Sequence, residues 1–385
     1  MRIYFDHNAT TPVDPEVADA MFAICRDAFG NPSSVHHHGQ RAKAALDGAR
    51  AAVADLIGAE ASEVVFTSGG TEADNLALRG AAAAAAETGR RRIVTAAFEH
   101  EAVLNTVKAL GRAGYATTVL PLDASGVLSP ERLHDAMTAD TAVVSVMHVN
   151  NEVGTIQPIA ELAAIAHERG AVFHTDAVQS AGKIRVDVRA LGVDLASFSA
   201  HKLYGPKGVG ALWIRRGVRL AAVLTGGRQE RNRRPGTENV PGIVGFGVAA
   251  RLAASRLEKE SSRLAALRDR LEEGVLARVA RSEVNGARAS RVANTANISF
   301  AHVEAESLLI ALDLEGIAVS TGSACSSGTL EPSHVLKAMG LPSDRAQASI
   351  RFSLGMANTE QDVDRLLEVL PGVVERLRNL APASR

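Results

Sequence analysis

The chain has 385 residues, a mass of 40.3 kDa and, with 42 Lys+Arg against 43 Asp+Glu, a formal net charge of −1, so no long-range field draws it to nucleic acid or an anionic membrane. Its 46% hydrophobic and 22% charged residues exclude a disordered chain, and its length is enough to bury a large core without staples. Two cysteines, Cys25 and Cys325, make no disulfide framework and fit a reducing compartment. Met1-Arg2-Ile3-Tyr4-Phe5-Asp6-His7 lacks the apolar core of an export signal, and no apolar run near the roughly 20 residues of a membrane span is evident, so a soluble cytoplasmic protein without membrane or nucleic-acid partners is expected.

In chain order, residues 16–29 read as a helix that is expected to bury Cys25. Residues 40–57 are Ala-rich with helical apolar spacing and stop at Gly58. Short apolar or β-branched runs follow at 63–67 (EVVFT), 92–95 (RIVT), 116–120 (ATTVL), 142–147 (AVVSVM), 171–174 (AVFH), 195–199 (LASFS) and 210–214 (GALWI). Helical patterns at 72–88, 101–112, 130–137 and 159–169 separate them. Buried strands alternating with helices predict an α/β fold with a mostly parallel sheet covered on both faces. Near Pro241 the pattern changes to one or two long helices over 241–280. A strand at 297–300, a helix at 304–314, a Gly/Ser-rich stretch at 320–328 and a strand at 349–353 then predict a smaller α+β domain.

Ligands of open α/β sheets bind beyond the carboxyl ends of the strands, so the residues after each run carry the functional reading. EVVFT leads into Ser68-Gly69-Gly70-Thr71-Glu72 and a helix start. Paired glycines let backbone approach an anion, first-turn N–H groups favour phosphate and Thr71 adds a hydroxyl; an ordinary capped helix start is the plainer alternative. AVFH leads to Asp176 and LASFS to Lys202. Singly these read as a capping aspartate and a surface lysine. With the phosphate loop they point to pyridoxal phosphate, the lysine holding its aldehyde and the carboxylate facing its protonated ring nitrogen. His100 begins a helix after RIVT, placed to stack on a ring and shuttle protons or simply to cap. Asn151, in Asn150-Asn151-Glu152, offers an amide to a phenolic oxygen or a substrate.

Cys325 lies in the small-residue stretch 320–328, where a loop thiol is a candidate nucleophile. Arg351 carries a guanidinium fork suited to a carboxylate, with a surface salt bridge as the plainer reading. Consecutive His36-His37-His38 do not converge on one ion and lack zinc-type spacing, so no metal is expected. The arginine-rich stretch 228–234 is either an anion site or a solvated loop.

Nearly the whole chain is spanned by YFDHNATTP (4–12), GNPSS (30–34) with His36, FTSGGTEADN (66–75), EHEAVL (99–104), MHVNNEVGTIQP (147–158), HTDAVQSAGK (174–183), SFSAHKLYGPKGVGAL (197–212), RPGTENV (234–240) and STGSACSSGTLEPSHVL (320–336). In this order they resemble the cysteine desulfurases of the class V aminotransferase-like group, of the nitrogen-fixation and iron–sulfur-cluster type. The resemblance implies a pyridoxal-phosphate fold type I enzyme, with a large cofactor-binding domain over 13–258 and a small domain from 1–12 and 259–385 that carries the catalytic cysteine. It implies that Lys202 holds the cofactor, Asp176 pairs with the ring nitrogen, His100 stacks on the ring, and Gln179 and Asn151 lie near the phenolic oxygen and substrate. Thr71, Ser199 and His201 would hold the phosphate beside Gly70, and Thr237 would reach the phosphate of the partner subunit in a homodimer. Arg351 would bind the carboxylate of L-cysteine. Cys325 would take the sulfur as a persulfide and pass it to an acceptor protein, a cluster scaffold or sulfur carrier. Selenocysteine lyase or another reaction on the same scaffold is the alternative; a non-catalytic sulfur-carrier adaptor would not need both Lys202 and Asp176.

Overall fold

The computed structural model describes residues 2–288, 290–322 and 332–380. The chain opens on a two-residue strand, β1 (Ile3–Tyr4), and then builds a seven-stranded sheet. Its strands are β2 (Val64–Thr67), β3 (Arg92–Ala96), β4 (Ala116–Leu120), β5 (Thr141–Ser145), β6 (Val172–Asp176), β7 (Leu195–Ser199) and β8 (Gly210–Ile214). Their spatial order is 2-8-7-6-5-3-4. Every pairing from β7 across to β4 is parallel, as the alternating pattern predicts, whereas β8 runs antiparallel to both β7 and β2. Residues 200–209 explain that reversal, because a parallel return needs a crossover of about a dozen residues or more and usually a helix.

Burial on both faces accounts for the unbroken apolar strands: every residue of β5, β7 and β8 is buried. Helices Gly70–Ala86 and Glu101–Arg112 cover one face through Leu76, Leu78, Val103 and Val107. Helix Ile159–Glu168 covers the other through Ile159, Leu162 and Ala166, in a larger cluster that also takes in Phe173, Phe198 and Trp213.

The chain then forms β9 (Ser282–Val284), β10 (Thr295–Phe300), β11 (Ile317–Ala318) and β12 (Ser349–Ser353). β10 lies between β9 and β12, antiparallel to both, while β1 pairs in parallel with β11. A second core gathers Phe5, Leu271, Ile298, Phe300, Phe352 and Leu366, so the N-terminal strand packs with the C-terminal elements. Val335, Leu336 and Met339 pack instead on the core of the main sheet.

A single helix, Val240–Arg278, joins the two cores: Ile243, Phe246 and Ala249 enter the first, and Leu264, Leu267, Leu271 and Val275 the second. Among the described residues it is the one helix long and apolar enough to cross a membrane. A stretch that passes this test of length and composition therefore does occur, against expectation; its buried apolar side chains enter the two cores, while Leu276 near its end is exposed. Cys25 also departs from expectation, for it is exposed. Helix Pro15–Asp27 turns the stripe Val17, Ala20, Met21 and Ile24 toward the main core, and Cys25 falls beside that stripe. His36 caps helix His37–Leu56 through Nδ1, which accepts from the Gly39 N–H at 3.3 Å, and His38 stacks on Phe29.

Candidate active site

Strands β2, β3, β5, β6 and β7 all run in one direction, so their carboxyl ends share one edge of the sheet. Lys202 closes the single 3₁₀ turn Ala200–Lys202 directly after β7. Its Nζ donates to the main-chain carbonyls of Asn8 at 2.6 Å and Ala9 at 2.7 Å. Asp176 ends β6, is 4% exposed and accepts the Val178 N–H at 2.9 Å. Burial pushes its carboxyl up, and His100, the Val178 N–H and Lys202 pull it back down.

Two further carboxyls lie behind it. Asp74 and Glu99 are fully buried, and desolvation holds both well above the usual range, with Asp176 adding to the effect. Between Asp74 and Asp176 stands His174, bonded to Ser145 Oγ at 2.8 Å and Ser197 Oγ at 2.9 Å and 3.6 Å from Asp74. Burial lowers its ring to about 3, so it is neutral. His100 caps helix Glu101–Arg112, its Nδ1 accepting the Ala102 N–H at 3.1 Å. That bond leaves Nε2 as the atom available to a proton or a ligand.

At the start of helix Gly70–Ala86 the capping position, Gly69, supplies no side-chain acceptor to the first-turn N–H groups. A Cβ on Gly70 would stand 2.8 Å from Val178 Cγ2 and 3.8 Å from Ser199 Cβ, so glycine is what lets the segment after Asp176 close over the helix start. Thr71 is exposed there and Ser199 is buried. His201 turns its Nδ1 to Thr10 Oγ1 at 3.1 Å; burial, then Lys202 and Lys207, lower it to about 4. Thr237 is exposed in the loop before helix Val240–Arg278.

Asn8 knits these pieces together. Its carbonyl also accepts Gln179 Nε2 at 2.9 Å, and its Oδ1 accepts Lys183 Nζ at 2.7 Å and Asn294 Nδ2 at 3.1 Å. Its Nδ2 donates to the Asn151 carbonyl at 3.1 Å and to Thr295 Oγ1 at 2.9 Å. Lys183 also donates to Gln179 Oε1, and burial, then Lys202 and Arg351, hold its amine well below the usual lysine range. Arg351, from β12, is 1% exposed and donates from Nη1 to the Asn151 carbonyl at 3.0 Å and from Nη2 to Asp6 at 2.7 Å. Its buried Nε–H has no partner among the described residues.

Asn8, Asp6, Lys183, Asp74 and Glu99 were not expected from the sequence. All fall inside the stretches quoted above only as neighbours of other residues, and their roles depend on partners as distant as the 175 positions between Asn8 and Lys183. Cys325 lies outside the described residues. Its described flanks meet the site: Ser320 and Arg351 exchange main-chain hydrogen bonds at 3.2 and 2.6 Å, and Ser333 donates to the carboxylate of Glu152, the neighbour of Asn151.

The class-V aminotransferase family model matches residues 3–366. The chain is 50% identical over 381 residues to the cysteine desulfurase IscS of Dictyoglomus turgidum, covering 99% of this chain and 96% of that one. The chain belongs to the cysteine desulfurases of the class-V aminotransferase family. The IscS of Methanosarcina thermophila is also 50% identical, over 99% of this chain and 94% of its own. Among solved structures, a NifS-like protein is similar with a TM-score of 0.92 at 40% identity, over 98% of this chain and all of that one. SspA in complex with cysteine gives 0.82 at 36% identity, over 92% and 99%.

Cysteine desulfurases are pyridoxal-phosphate enzymes, and the residues present here fit that group. A buried carboxyl at Asp176 calls for a cationic partner, the uncapped helix start offers donors to a phosphate, and a lysine amine stands at the next strand end.

Proposed function

We propose that this cysteine desulfurase takes L-cysteine to L-alanine, holds the sulfur on Cys325 as a persulfide and passes it to an acceptor protein that builds iron–sulfur clusters or other sulfur-containing products. The observation that carries the reading is the placing of Lys202 and Asp176 at adjacent strand ends, with buried Arg351, whose Nε–H has no partner among the described residues, joined to them through Asn8 and Asn151. Pyridoxal phosphate would be held by Lys202 at its aldehyde and Asp176 at its ring nitrogen. Gln179 and Asn151 would lie toward its phenolic oxygen, His100 on its face, and Gly70, Thr71, Ser199 and His201 around its phosphate. When bound it supplies an electron sink for the pair left at the substrate α-carbon.

The chain's own groups do the rest. Arg351 binds the substrate carboxylate with its Nε–H and the fork now shared with Asp6. Lys202 Nζ takes the α-proton, and His100 Nε2 holds the proton of the substrate thiol. The Cys325 thiolate forms a sulfur–sulfur bond as the substrate Cβ–S bond breaks. The electron pair of that bond stays on carbon, which gains a proton, so cysteine plus one thiol become alanine plus a persulfide with no outside oxidant. Support for Cys325 comes from its flanks, which attach at Arg351 and Glu152 on the substrate side of the site.

The same reading makes the protein a cytoplasmic homodimer in which the exposed Thr237 reaches the phosphate bound by the partner subunit. Residues 13–258 serve as the cofactor-binding domain, and 1–12 with 259–385 as the small domain; the second core, which includes Phe5 and Phe352, favours that division. Incubation with L-cysteine followed by mass spectrometry should find one added sulfur on the Cys325 peptide, with alanine released. Cys325→Ser should keep the visible absorbance of bound cofactor and lose sulfide release. Full turnover by that variant would remove Cys325 from the reaction.

A further inference from the structure

The arginine-rich stretch 228–234 reads from sequence as an anion site or a solvated loop. In the structure two of its charged residues, Glu230 and Arg234, engage the chain itself. Glu230, Arg231 and Asn232 take left-handed backbone conformations in succession, with φ of 44°, 58° and 63°. Non-glycine residues avoid that region, so three in a row persist only when the surroundings hold them.

Glu230 supplies that hold. Its side chain is 2% exposed, and its two oxygens accept both terminal nitrogens of Arg50 at 2.7 Å. One of these oxygens also accepts the Phe66 N–H at 3.0 Å. Phe66 belongs to β2, an edge strand that among the described residues pairs only with β8, so this N–H would otherwise face outward unsatisfied. Arg50 lies over the Phe66 ring and donates to the Val64 carbonyl at 2.9 Å, which fixes the pair to the same strand. Four residues later Arg234 donates from Nε to Glu72 Oε1 at 2.8 Å and from Nη2 to Oε2 at 3.4 Å. Glu72 Oε2 in turn accepts the Ser68 N–H at 2.7 Å.

We infer that Glu230 and Arg234 are positioning residues: they clasp the stretch 228–234 onto both sides of the segment 66–72 and hold the phosphate cradle at Ser68–Thr71 in its binding shape before the cofactor arrives. This rests on the reading that the cradle receives the cofactor phosphate. The clasp takes hold one residue upstream of Thr67 and again where Ser68 N–H meets Glu72, so Gly69 and Gly70, which lie between Ser68 and Glu72, lose their freedom. Preorganisation of this kind strengthens binding of the group the cradle meets, and leaves the remainder of the ligand alone.

The test strips the purified enzyme of cofactor and compares its affinity for pyridoxal phosphate with that for pyridoxal, which lacks the phosphate. Wild type should prefer the phosphorylated form. Arg234→Gln and Glu230→Gln should each lower that preference by about tenfold, the worth of one charge-assisted hydrogen bond, with pyridoxal affinity little changed. Arg234→Lys should recover part of the loss. A purely structural clip would weaken both ligands alike or neither, and a preference unaltered in both glutamine variants overturns the clasp. If wild type shows no preference, the phosphate reading fails first and the clasp with it. Arg234 is partly exposed and outside both cores, so its variants report even if Glu230→Gln does not fold.

Discussion

Asn8 uses one amide and one carbonyl to tie Lys202, Gln179, Lys183, Asn151 and Thr295 to a single point. The strand-end positions of Lys202 and Asp176 were legible in the sequence, because each follows or closes an apolar strand run and carries a charge that such a run does not need. Asn8 and Glu230 were not, since their importance lies in partners far along the chain. The buried histidines show the same dependence on context. Burial lowers His148 to about 4, against 6.5 when exposed. The unfolded chain therefore binds a proton there more readily than the folded one. The stability His148 contributes is full above about pH 6.5 and is lost as pH falls toward 4. Asp74 and Glu99, held above their ordinary values, act with the opposite sign, losing stability as pH rises past about 4. His148→Gln should then narrow the gap in unfolding free energy between pH 7 and pH 5 by about 2 kcal/mol, read from urea titrations at both values. An unchanged gap would mean that His148 is charged in the folded protein.

Among the elements, the parallel strands were the most readable, because burial on both faces forces continuous apolar runs onto short segments. The reversed direction of β8 was not, as a strand's own composition does not encode its neighbour's orientation; only the short link 200–209 does. The long helix Val240–Arg278 was legible as helix, but its apolar stretch and the two different cores that its buried parts serve were not. Leu271 is fully buried in the second of them. Leu271→Ala should cost about 3 kcal/mol of unfolding free energy by chemical denaturation. A loss near zero would show that the distal half of the helix contributes little to the fold.

Taken whole, the molecule sets a seven-stranded sheet and a three-stranded sheet on either side of a site that draws on both. If Thr237 completes the site of a second copy, the chain should sediment at twice 40.3 kDa. Chains carrying Lys202→Ala and chains carrying Thr237→Ala, each impaired alone, should regain activity when unfolded together and reassembled. A mixed pair contains one site with neither change, which predicts roughly a quarter of wild-type sites in an equal mixture. Activity no greater than the sum of the separate variants would place Thr237 at its own chain's site.

The position of β1 has a consequence for how such an enzyme is born. Ile3 pairs with Ile317, and Asp6 with Arg351, so each waits for a partner made more than 300 residues later. At about 5–20 residues per second that delay is on the order of 20–70 seconds, during which the nascent chain carries an unfinished catalytic centre. A message cut short before Arg351 leaves Asp6 and the Asn151 carbonyl without the guanidinium that joins them in the finished fold.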